Sequence, residues 1–149
     1  MSTGEFCIRD VVIAEKKSGI IEVAQLMRKY HVGDVIVVEQ RGEQKVPVGI
    51  ITDRDIVVEV IAQQVDLNEV TAGDIMSYDL LSVQDKEGIW ETLLQMCNRG
   101  VRRVPVVNEE GGLEGILAID DMIELLAEEL TLLAKISRSG QVREQKKRE

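Results

Sequence analysis

The chain has 149 residues, of which 44% are apolar, and a formal net charge of −9. This length suits one compact domain or two half-size ones, and the apolar fraction excludes wholesale disorder. The negative charge argues against a nucleic-acid backbone or an anionic membrane as the main partner. Aromatic residues make up only 3% of the chain, which is few for the stacking surfaces of single-stranded nucleic-acid binders.

The sequence shows no targeting or membrane signal. No apolar run reaches the roughly 18 residues that span a bilayer, and the first residues lack the basic and apolar regions of a signal peptide. The two cysteines, Cys7 and Cys97, do not form a disulfide framework. These features predict a soluble, cytoplasmic protein.

Two stretches of the chain are copies of one unit. Residues 2–38 align without gaps on residues 71–107, and residues 49–56 align on residues 115–122. The offset between the copies changes only in a predicted loop, as duplication of a folded unit predicts. The predicted segments are a first repeat at residues 2–66, a second repeat at residues 67–136 and a charged flexible tail at residues 137–149.

In the first repeat, the pattern of apolar residues predicts secondary-structure elements in the order strand, helix, strand, strand, helix. A short apolar segment at residues 11–14 precedes a helical pattern that begins at Ile20. Two apolar, β-branched runs follow at residues 35–38 and 48–51, and they predict strands joined by a turn. The last helix of this repeat is predicted at about residues 54–64.

The second repeat predicts the same order. Its first strand is predicted at residues 80–83, and its first helix begins at Ile89. Strands are predicted at residues 104–107 and 113–117, and a final helix at about residues 121–136. A unit of this size is marginal alone, so each repeat would gain stability by packing on the other.

The final predicted helix carries apolar residues on more than one face. They are Met122, Ile123, Leu125, Leu126, Leu130, Leu132, Leu133 and Ile136. Such a helix is either enclosed within the domain or also packs against another subunit. The apolar pattern stops after Ser137, and the charged residues beyond it predict a frayed or mobile tail.

Three motifs resemble those of tandem cystathionine β-synthase (CBS) domains, a pair often called a Bateman module. Residues 49–56 (GIITDRDI) and 115–122 (GILAIDDM) are similar to the family's Gly-h-h-Thr/Ser-x-x-Asp-h pattern, where h is apolar. Residues 101–107 (VRRVPVV) resemble its basic residues before a Pro-Val-Val strand, and residues 73–77 (GDIMS) resemble its opening segment. The resemblance spans about residues 2–136, so we expect a stand-alone pair.

The resemblance implies an α/β fold in which two β-α-β-β-α repeats pack through their sheets with pseudo-twofold symmetry. It also implies two clefts between the repeats that hold adenosine-containing ligands, and further association into disc-like homodimers through helices. We therefore expect a non-catalytic, energy-sensing regulatory module that binds AMP, ADP or ATP, with S-adenosylmethionine or NAD less favoured. Ligand binding would change the dimer or the surface offered to a protein target regulated in trans.

Thr52 and Asp55 stand where a predicted strand meets a predicted helix. A Thr followed three residues later by an acid resembles a capping box, in which both side chains bind the helix's own N–H groups. The alternative is ligand binding, because a carboxylate accepts hydrogen bonds from both ribose hydroxyls and a Thr hydroxyl contacts ribose or phosphate. The second repeat keeps the acid as Asp121 but has Ala118 in place of the Thr, which favours binding over capping.

The first predicted cleft combines Thr52 and Asp55 with the segment that opens the second repeat. In that segment we select Met76, Ser77 and Leu81, because its backbone would read the edge of an adenine. This cleft keeps the ribose contacts but lacks a matched group of cations for phosphate.

Arg102 and Arg103 form the densest cationic group of the predicted globular part. They are either solvated charges at a helix end or a phosphate site, since guanidinium groups bind phosphate in a fork geometry. The first repeat has Gly33 and Asp34 at the matching positions, so the two clefts should differ in affinity. The second predicted cleft combines Asp121, Arg102, Arg103, Cys7 and Val12.

Catalytic and metal sites are not predicted. The chain has one His and no nucleophile, Walker or dinucleotide-binding motif, and His31, Cys7 and Cys97 lack the spacing of zinc ligands. The main alternative to a ligand sensor is a structural interaction module with empty clefts, acting through the final helix and its tail. A nucleic-acid module that uses the basic residues 138–147 ranks last.

Overall fold

Each predicted repeat forms one three-stranded sheet in the computed structural model, which describes residues 1–148. The first sheet contains β1 (Ile13–Glu15), β2 (Asp34–Arg41) and β3 (Gln44–Thr52), and the second contains β4 (Val83–Gln84), β5 (Arg103–Val107) and β6 (Leu113–Ala118). The α-helices are α1 (Thr3–Phe6), α2 (Ile20–Tyr30), α3 (Asp53–Asp55), α4 (Ala72–Ile75), α5 (Ile89–Arg99) and α6 (Ile119–Arg148), and a π-helix covers Ile56–Ile61. The described chain divides into two compact units, one of residues Met1–Leu117 and one that begins at Ala118.

The two sheets share one strand order. β1 pairs in parallel with β2, which pairs antiparallel with β3, so β2 is central. β4 pairs in parallel with β5, which lies between β4 and β6. The predicted strands are therefore present, although β1 and β4 begin later than expected, at Ile13 and Val83, and β2 and β3 extend beyond their apolar runs.

The apolar run of β2 is buried on both faces of the first sheet. Val35 and Val37 face a cluster that includes buried residues of α2 and the π-helix. Ile36 and Val38 face the other way, into a cluster that contains Ile116 of β6. Because side chains alternate along a strand, one run serves both the helix layer and the sheet-to-sheet contact. The predicted α/β fold with repeats packed through their sheets is confirmed.

The first helices of the two repeats begin where predicted, at Ile20 and Ile89, although in α5 Thr92 is buried and Leu94 of the predicted apolar pattern is exposed. In α2, the apolar residues Ile20, Val23 and Met27 are buried on one face. Both α2 and α5 end at a residue in the left-handed conformation, His31 with φ 55° and Gly100 with φ 65°. Left-handed backbone closes many helices, and glycine adopts it without steric cost.

The segments that open the repeats are exchanged between them. At residues 2–8, the backbone N–H of Thr3 donates to the carbonyl of Glu87, and Ile8 pairs with Ile116 of the second repeat. At residues 71–77, Ser77 pairs in turn with Ile50 of the first repeat. We call these two stretches the opening segments. Their short helices, α1 and α4, are elements that the sequence analysis missed, although each carries a capping box.

Two helices differ from their predicted form. The helix predicted at residues 54–64 is one α-turn followed by a π-helix, in which the N–H of Ala62 donates to the carbonyl of Val57, five residues back. Five of the six π-helix residues are β-branched, which weakens the preference for a regular α-turn. The final helix, predicted to end near residue 136, continues to Arg148. Its last residues, mostly Arg, Lys, Glu and Gln, are strong helix formers.

Candidate ligand-binding cavity

A cavity of about 490 Å³ lies between the two repeats, within the first unit. Its volume falls in the usual range for small-molecule sites. From the first repeat, the start of β2, the end of β3 and the first residues of α3 line the cavity; from the second, Ser77 of the opening segment, residues 79–81 and residues 101–103 line it. The cavity therefore depends on both repeats.

Backbone contacts between β3 and the second opening segment set the floor of the cavity. The N–H of Ser77 donates to the carbonyl of Ile50 at 3.0 Å, and the N–H of Ile50 donates back at 3.4 Å. Gly49 allows this approach, because a Cβ there would lie 2.5 Å from the Sδ of Met76. Met76 is buried in the core at this point, so its side chain supports the floor and does not line the cavity. Ser77 lines the cavity, and both of its backbone groups are hydrogen-bonded to Ile50; its predicted contact with an adenine edge stays a prediction.

Thr52 and Asp55 form a complete capping box at the start of α3. The N–H of Asp55 donates to the Thr52 hydroxyl oxygen at 3.1 Å, and the N–H of Thr52 donates to an Asp55 carboxylate oxygen at 2.9 Å. Thr52 lines the cavity, whereas Asp55 is not among its lining residues. The hydroxyl accepts in the capping bond and keeps its own proton for donation to a ligand. One carboxylate oxygen of Asp55 thus holds Thr52 in place, and the predicted contact of Asp55 with a ribose stays a prediction.

Arg102 and Arg103 line the same cavity as Thr52. The sequence analysis assigned them to the other cleft, and that separation is wrong. The physical reason is the exchange of opening segments, which brings the strand ends of both repeats to one place.

Arg103 forms an ion pair with Asp34 across the two repeats. Its Nε lies 2.7 Å from an Asp34 carboxylate oxygen, and the Asp34 side chain is only 10% exposed against 36% for Arg103. Burial raises the pKa of Asp34 above its ordinary value, the Arg103 charge opposes this, and the nearby Asp53 adds to the rise. The cavity wall therefore holds a carboxylate that would gain from additional positive charge or a hydrogen-bond donor.

The sequence analysis missed several residues of the cavity. Asp53 and Arg54, which follow Thr52 in the chain, line it, and so does Asp79 of the second repeat. Asp53 accepts a hydrogen bond from the N–H of Arg54 at 2.8 Å, and Asp79 pairs with Arg99 at 2.7 Å. The motif at residues 49–56 contained Asp53 and Arg54, but a helix drawn from residue 54 gave no reason to prefer them to Asp55.

The remaining wall of the cavity is apolar. It contains Ile50 from β3, Leu80 and Leu81 from the second repeat's first apolar segment, and Val101 from the turn before β5. Leu81 was predicted as a site residue and lines the cavity. Apolar side chains on one side and arginines and carboxylates on another suit a ligand with a flat apolar part, hydroxyl groups and an anionic group.

The predicted second cleft is only partly contained in the first unit. Ile8 and Ile116 exchange two backbone hydrogen bonds of 2.9 Å, the counterpart of the bonds between Ser77 and Ile50. Cys7 is half-buried there, and burial raises the pKa of its thiol. Val12 lines a separate cavity of about 400 Å³. Asp121 belongs to the second unit, in the first turn of α6, so no contact between it and Cys7 or Val12 is described.

Residues 1–148 contain no group of three or more His, Cys, Asp or Glu side chains placed to hold a metal ion. Over the same residues, no helix is long and apolar enough to cross a membrane.

Comparison with known proteins identifies both repeats. The family model described as the CBS domain matches residues 4–62 and again residues 72–128. An uncharacterized protein of Methanopyrus kandleri is 35% identical over 125 residues, which is 84% of this chain and 62% of that protein. Hypoxic response protein 1 of Mycobacterium tuberculosis is 35% identical over 105 residues, which is 70% of this chain and 71% of that protein.

Solved structures show the same fold. A crystal structure of hypoxic response protein I with two coordinated zinc ions has a TM-score of 0.71 at 29% identity, covering 83% of this chain and 98% of that one. The CBS domain pair of protein MJ0100, solved with 5′-methylthioadenosine and S-adenosyl-L-methionine, has a TM-score of 0.73 at 23% identity. That match covers 87% of this chain and 98% of the other.

Proposed function

The chain belongs to the CBS domain family, and we propose that it is a non-catalytic regulatory module that binds an adenosine-containing ligand in the cavity between its repeats. The observation that carries this proposal is the composition of the cavity wall. Thr52, Arg102 and an apolar surface converge on one cavity of about 490 Å³ that neither repeat forms alone. AMP, ADP and ATP are the favoured ligands, ahead of S-adenosylmethionine and NAD.

The cavity wall suggests a role for each group of residues. The apolar side chains, Ile50 and Leu81 among them, would hold the flat face of the adenine. Thr52 and Asp53 would bind the ribose hydroxyls, the first as a donor and the second as an acceptor. Arg102, together with Arg54, would bind phosphate, because guanidinium groups match phosphate oxygens in charge and geometry.

Two structural neighbours support the choice of ligand class by analogy. The MJ0100 domain pair was solved with two adenosine compounds. The cytosolic domain of the Mg²⁺ channel MgtE, which has a TM-score of 0.70 at 22% identity, was solved with ATP. Those ligands belong to those proteins, and here they guide the choice of compounds to test.

The position of Thr52 offers a route from the cavity to an association surface. Thr52 caps α3, and the π-helix follows directly. Ile56 and Ile61 of the π-helix line an apolar groove of about 280 Å³ together with Ile21 and Ala24 of α2. We propose this groove as the helical surface of a homodimer. A ligand on Thr52 would shift the dimer only if it binds the two arrangements with different affinity.

Titration calorimetry on the full chain tests the proposal. We expect AMP, ADP or ATP to bind, and Thr52→Val and Arg102→Ala each to weaken binding about tenfold or more, in line with the loss of one charge-assisted or buried hydrogen bond. Arg41→Ala is the matched control. Arg41 is an exposed arginine paired with Glu39 at the far end of β2, roughly 23 Å along the strand from Asp34.

Thermal unfolding, together with the calorimetry, distinguishes a ligand-binding module from the alternative, a structural interaction module with empty clefts. At ligand concentrations of 100 times the dissociation constant, binding should stabilise the fold by about 2.7 kcal/mol in a thermal-unfolding experiment. Absence of both heat and stabilisation with all five compounds would contradict the proposal. It would leave the structural interaction module, which the exposed apolar residues of α6 favour.

A further inference from the structure

A cavity of about 400 Å³ in the first repeat is formed by one face of α2 and by the segment that leads into β1. Its volume lies in the range of small-molecule sites. Its lining residues are Asp10, Val11, Val12, Ile13, Leu26 and Tyr30. The cavity between the repeats takes no residue from α5, the helix equivalent to α2. The two cavities are therefore not counterparts of each other.

The apolar wall of this cavity is held by the core behind it. Val11 and Ile13 pack against the cluster between the two sheets, and Val12 and Leu26 pack against the cluster that includes the buried face of α2. Close-packed neighbours keep such side chains in place. The wall is thus formed before any ligand arrives.

Asp10 is the only charged residue among the six that line the cavity. Among residues 1–148, no group donates a hydrogen bond to its carboxylate or to its backbone carbonyl, and no cation pairs with it. The neighbouring Arg9 pairs with Glu114 at 3.0 Å. The cavity therefore presents two acceptor groups of one residue without a donor.

The second repeat fills both matching acceptors with its own arginine. Asp79 aligns with Asp10, and Arg99 aligns with Tyr30. The Arg99 guanidinium lies 2.7 Å from a carboxylate oxygen of Asp79 and donates to the Asp79 carbonyl at 3.2 Å. The second repeat thus shows which chemical group fits this arrangement of acceptors.

The first repeat has lost that arginine and has gained apolar surface. At three aligned positions it is apolar or aromatic where the second repeat is polar: Ile13 for Ser82, Leu26 for Gln95 and Tyr30 for Arg99. The ring of Tyr30 attracts cations, since the ammonium of Lys29 lies 5.0 Å from its centroid. A cation with an apolar part would suit this combination of groups.

We propose that this cavity binds a small organic cation, namely a guanidinium group on a short apolar stem. The guanidinium would bind the carboxylate and carbonyl of Asp10 as Arg99 binds those of Asp79, and its flat face would contact the ring of Tyr30. The stem would lie against Leu26. This inference rests on the first repeat and does not depend on adenosine binding between the repeats.

A chemical-shift titration of the ¹⁵N-labelled full chain tests the proposal. Butylguanidinium is the probe, and butylurea is its neutral isostere. We expect butylguanidinium to give saturable shifts at residues 10–13 and at Leu26 and Tyr30. Butylurea should bind at least threefold more weakly, because it lacks the charge that Asp10 attracts. Low salt is used, since screening weakens interactions between exposed charges.

Two variants with matched controls locate the site. Asp10→Asn should weaken butylguanidinium binding about threefold or more, a modest factor because Asp10 is exposed. Glu43→Gln, at an exposed carboxylate in the turn between β2 and β3, should leave binding unchanged. Tyr30→Arg supplies an internal guanidinium and should abolish saturable binding. Gln63→Arg adds the same charge at an exposed position outside the cavity and should preserve it.

Three results would overturn the proposal. Equal affinity for butylguanidinium and butylurea would show that the Asp10 charge takes no part. Shifts that never saturate and persist in Asp10→Asn would show only a general attraction of cations to an acidic protein. Saturable binding that survives in Tyr30→Arg would place the site outside this cavity.

One further compound identifies the source of the guanidinium. Free guanidines and the arginine side chain of a partner protein share this chemistry. N-acetyl-arginine N-methylamide represents the second source, because its stem carries peptide groups on both sides. Weaker binding of this compound than of butylguanidinium supports a free small molecule, which the closed volume of about 400 Å³ favours. Equal binding supports the arginine of a partner.

Discussion

The two repeats place different residues at equivalent positions, and their most informative difference lies where they meet. Asp34 and Arg103 occupy matching positions in the aligned copies, yet they bind each other at 2.7 Å. In a pair of identical repeats these positions would bring two like charges together. Divergence between the copies has turned that contact into an ion pair and has made the two sides of the molecule unequal.

A second difference lies under the opening segments. Thr3 of the first repeat and Thr92 of α5 are fully buried and share a hydrogen bond of 2.8 Å. Their counterparts, Ala72 and Val23, are also fully buried, within an apolar cluster. The same backbone arrangement is thus held by a buried polar pair on one side and by apolar packing on the other.

Reversing the charge of Arg103 in its ion pair with Asp34 should have the largest effect on stability. Arg103→Asp places two carboxylates together, and we expect it to lower the free energy of unfolding by about 2–3 kcal/mol, less than for a fully buried pair because Arg103 is partly exposed. The double variant Asp34→Arg with Arg103→Asp should recover more than half of this loss. Urea unfolding at pH 7 measures both changes.

The pH dependence of the Arg103→Asp variant provides a control. Burial already raises the pKa of Asp34 in the folded protein, so its charged form opposes folding and protonation relieves the cost as the pH falls through the folded pKa. The deficit of Arg103→Asp should therefore shrink between pH 7 and about pH 4. A deficit that stays constant over this range would show that charge repulsion is not its cause.

Exchanging the buried Val and Thr residues under the two opening segments should lower the free energy of unfolding by an intermediate amount, and by more on the apolar side than on the polar side. Val23→Thr buries a hydroxyl in an apolar cluster and should cost about 1–3 kcal/mol. Thr92→Val should cost only about 1 kcal/mol, because the Thr3 hydroxyl still donates to the carbonyl of Glu87 at 3.0 Å. Denaturant midpoints measure both, and equal losses would contradict the distinction between the two sides.

The smallest effect on stability is expected at the C-terminal ends of α2 and α5. His31 and Gly100 are equivalent and share the left-handed conformation. Gly100→Ala should cost about 1 kcal/mol, and the loss would be due to backbone strain, since a Cβ at this position meets no atom within 4 Å. His31→Gly should stabilise the protein by less than about 1 kcal/mol. Thermal unfolding of the two variants in parallel tests whether their signs are opposite.

Much of the fold followed from local patterns. The spacing of Ile20, Val23 and Met27 on one helical face indicated α2, and the apolar run from Val35 to Val38 indicated a buried strand. Such patterns are local because a helix or strand must turn its apolar residues toward a core. The short helices α1 and α4 were also marked by local signals, the capping boxes of Ser2 with Glu5 and Thr71 with Asp74.

The sequence by itself determined the duplication, the order of strands and helices, and the residue types from which a ligand site could be built. Tertiary structure alone decided that Arg102 and Arg103 share a cavity with Thr52, and that Asp55 holds Thr52 instead of lining that cavity. The reason is that the hydrogen bonds between Ser77 and Ile50 join residues far apart in the chain. No local pattern encodes which repeat receives which opening segment, because that choice depends on how the two sheets pack.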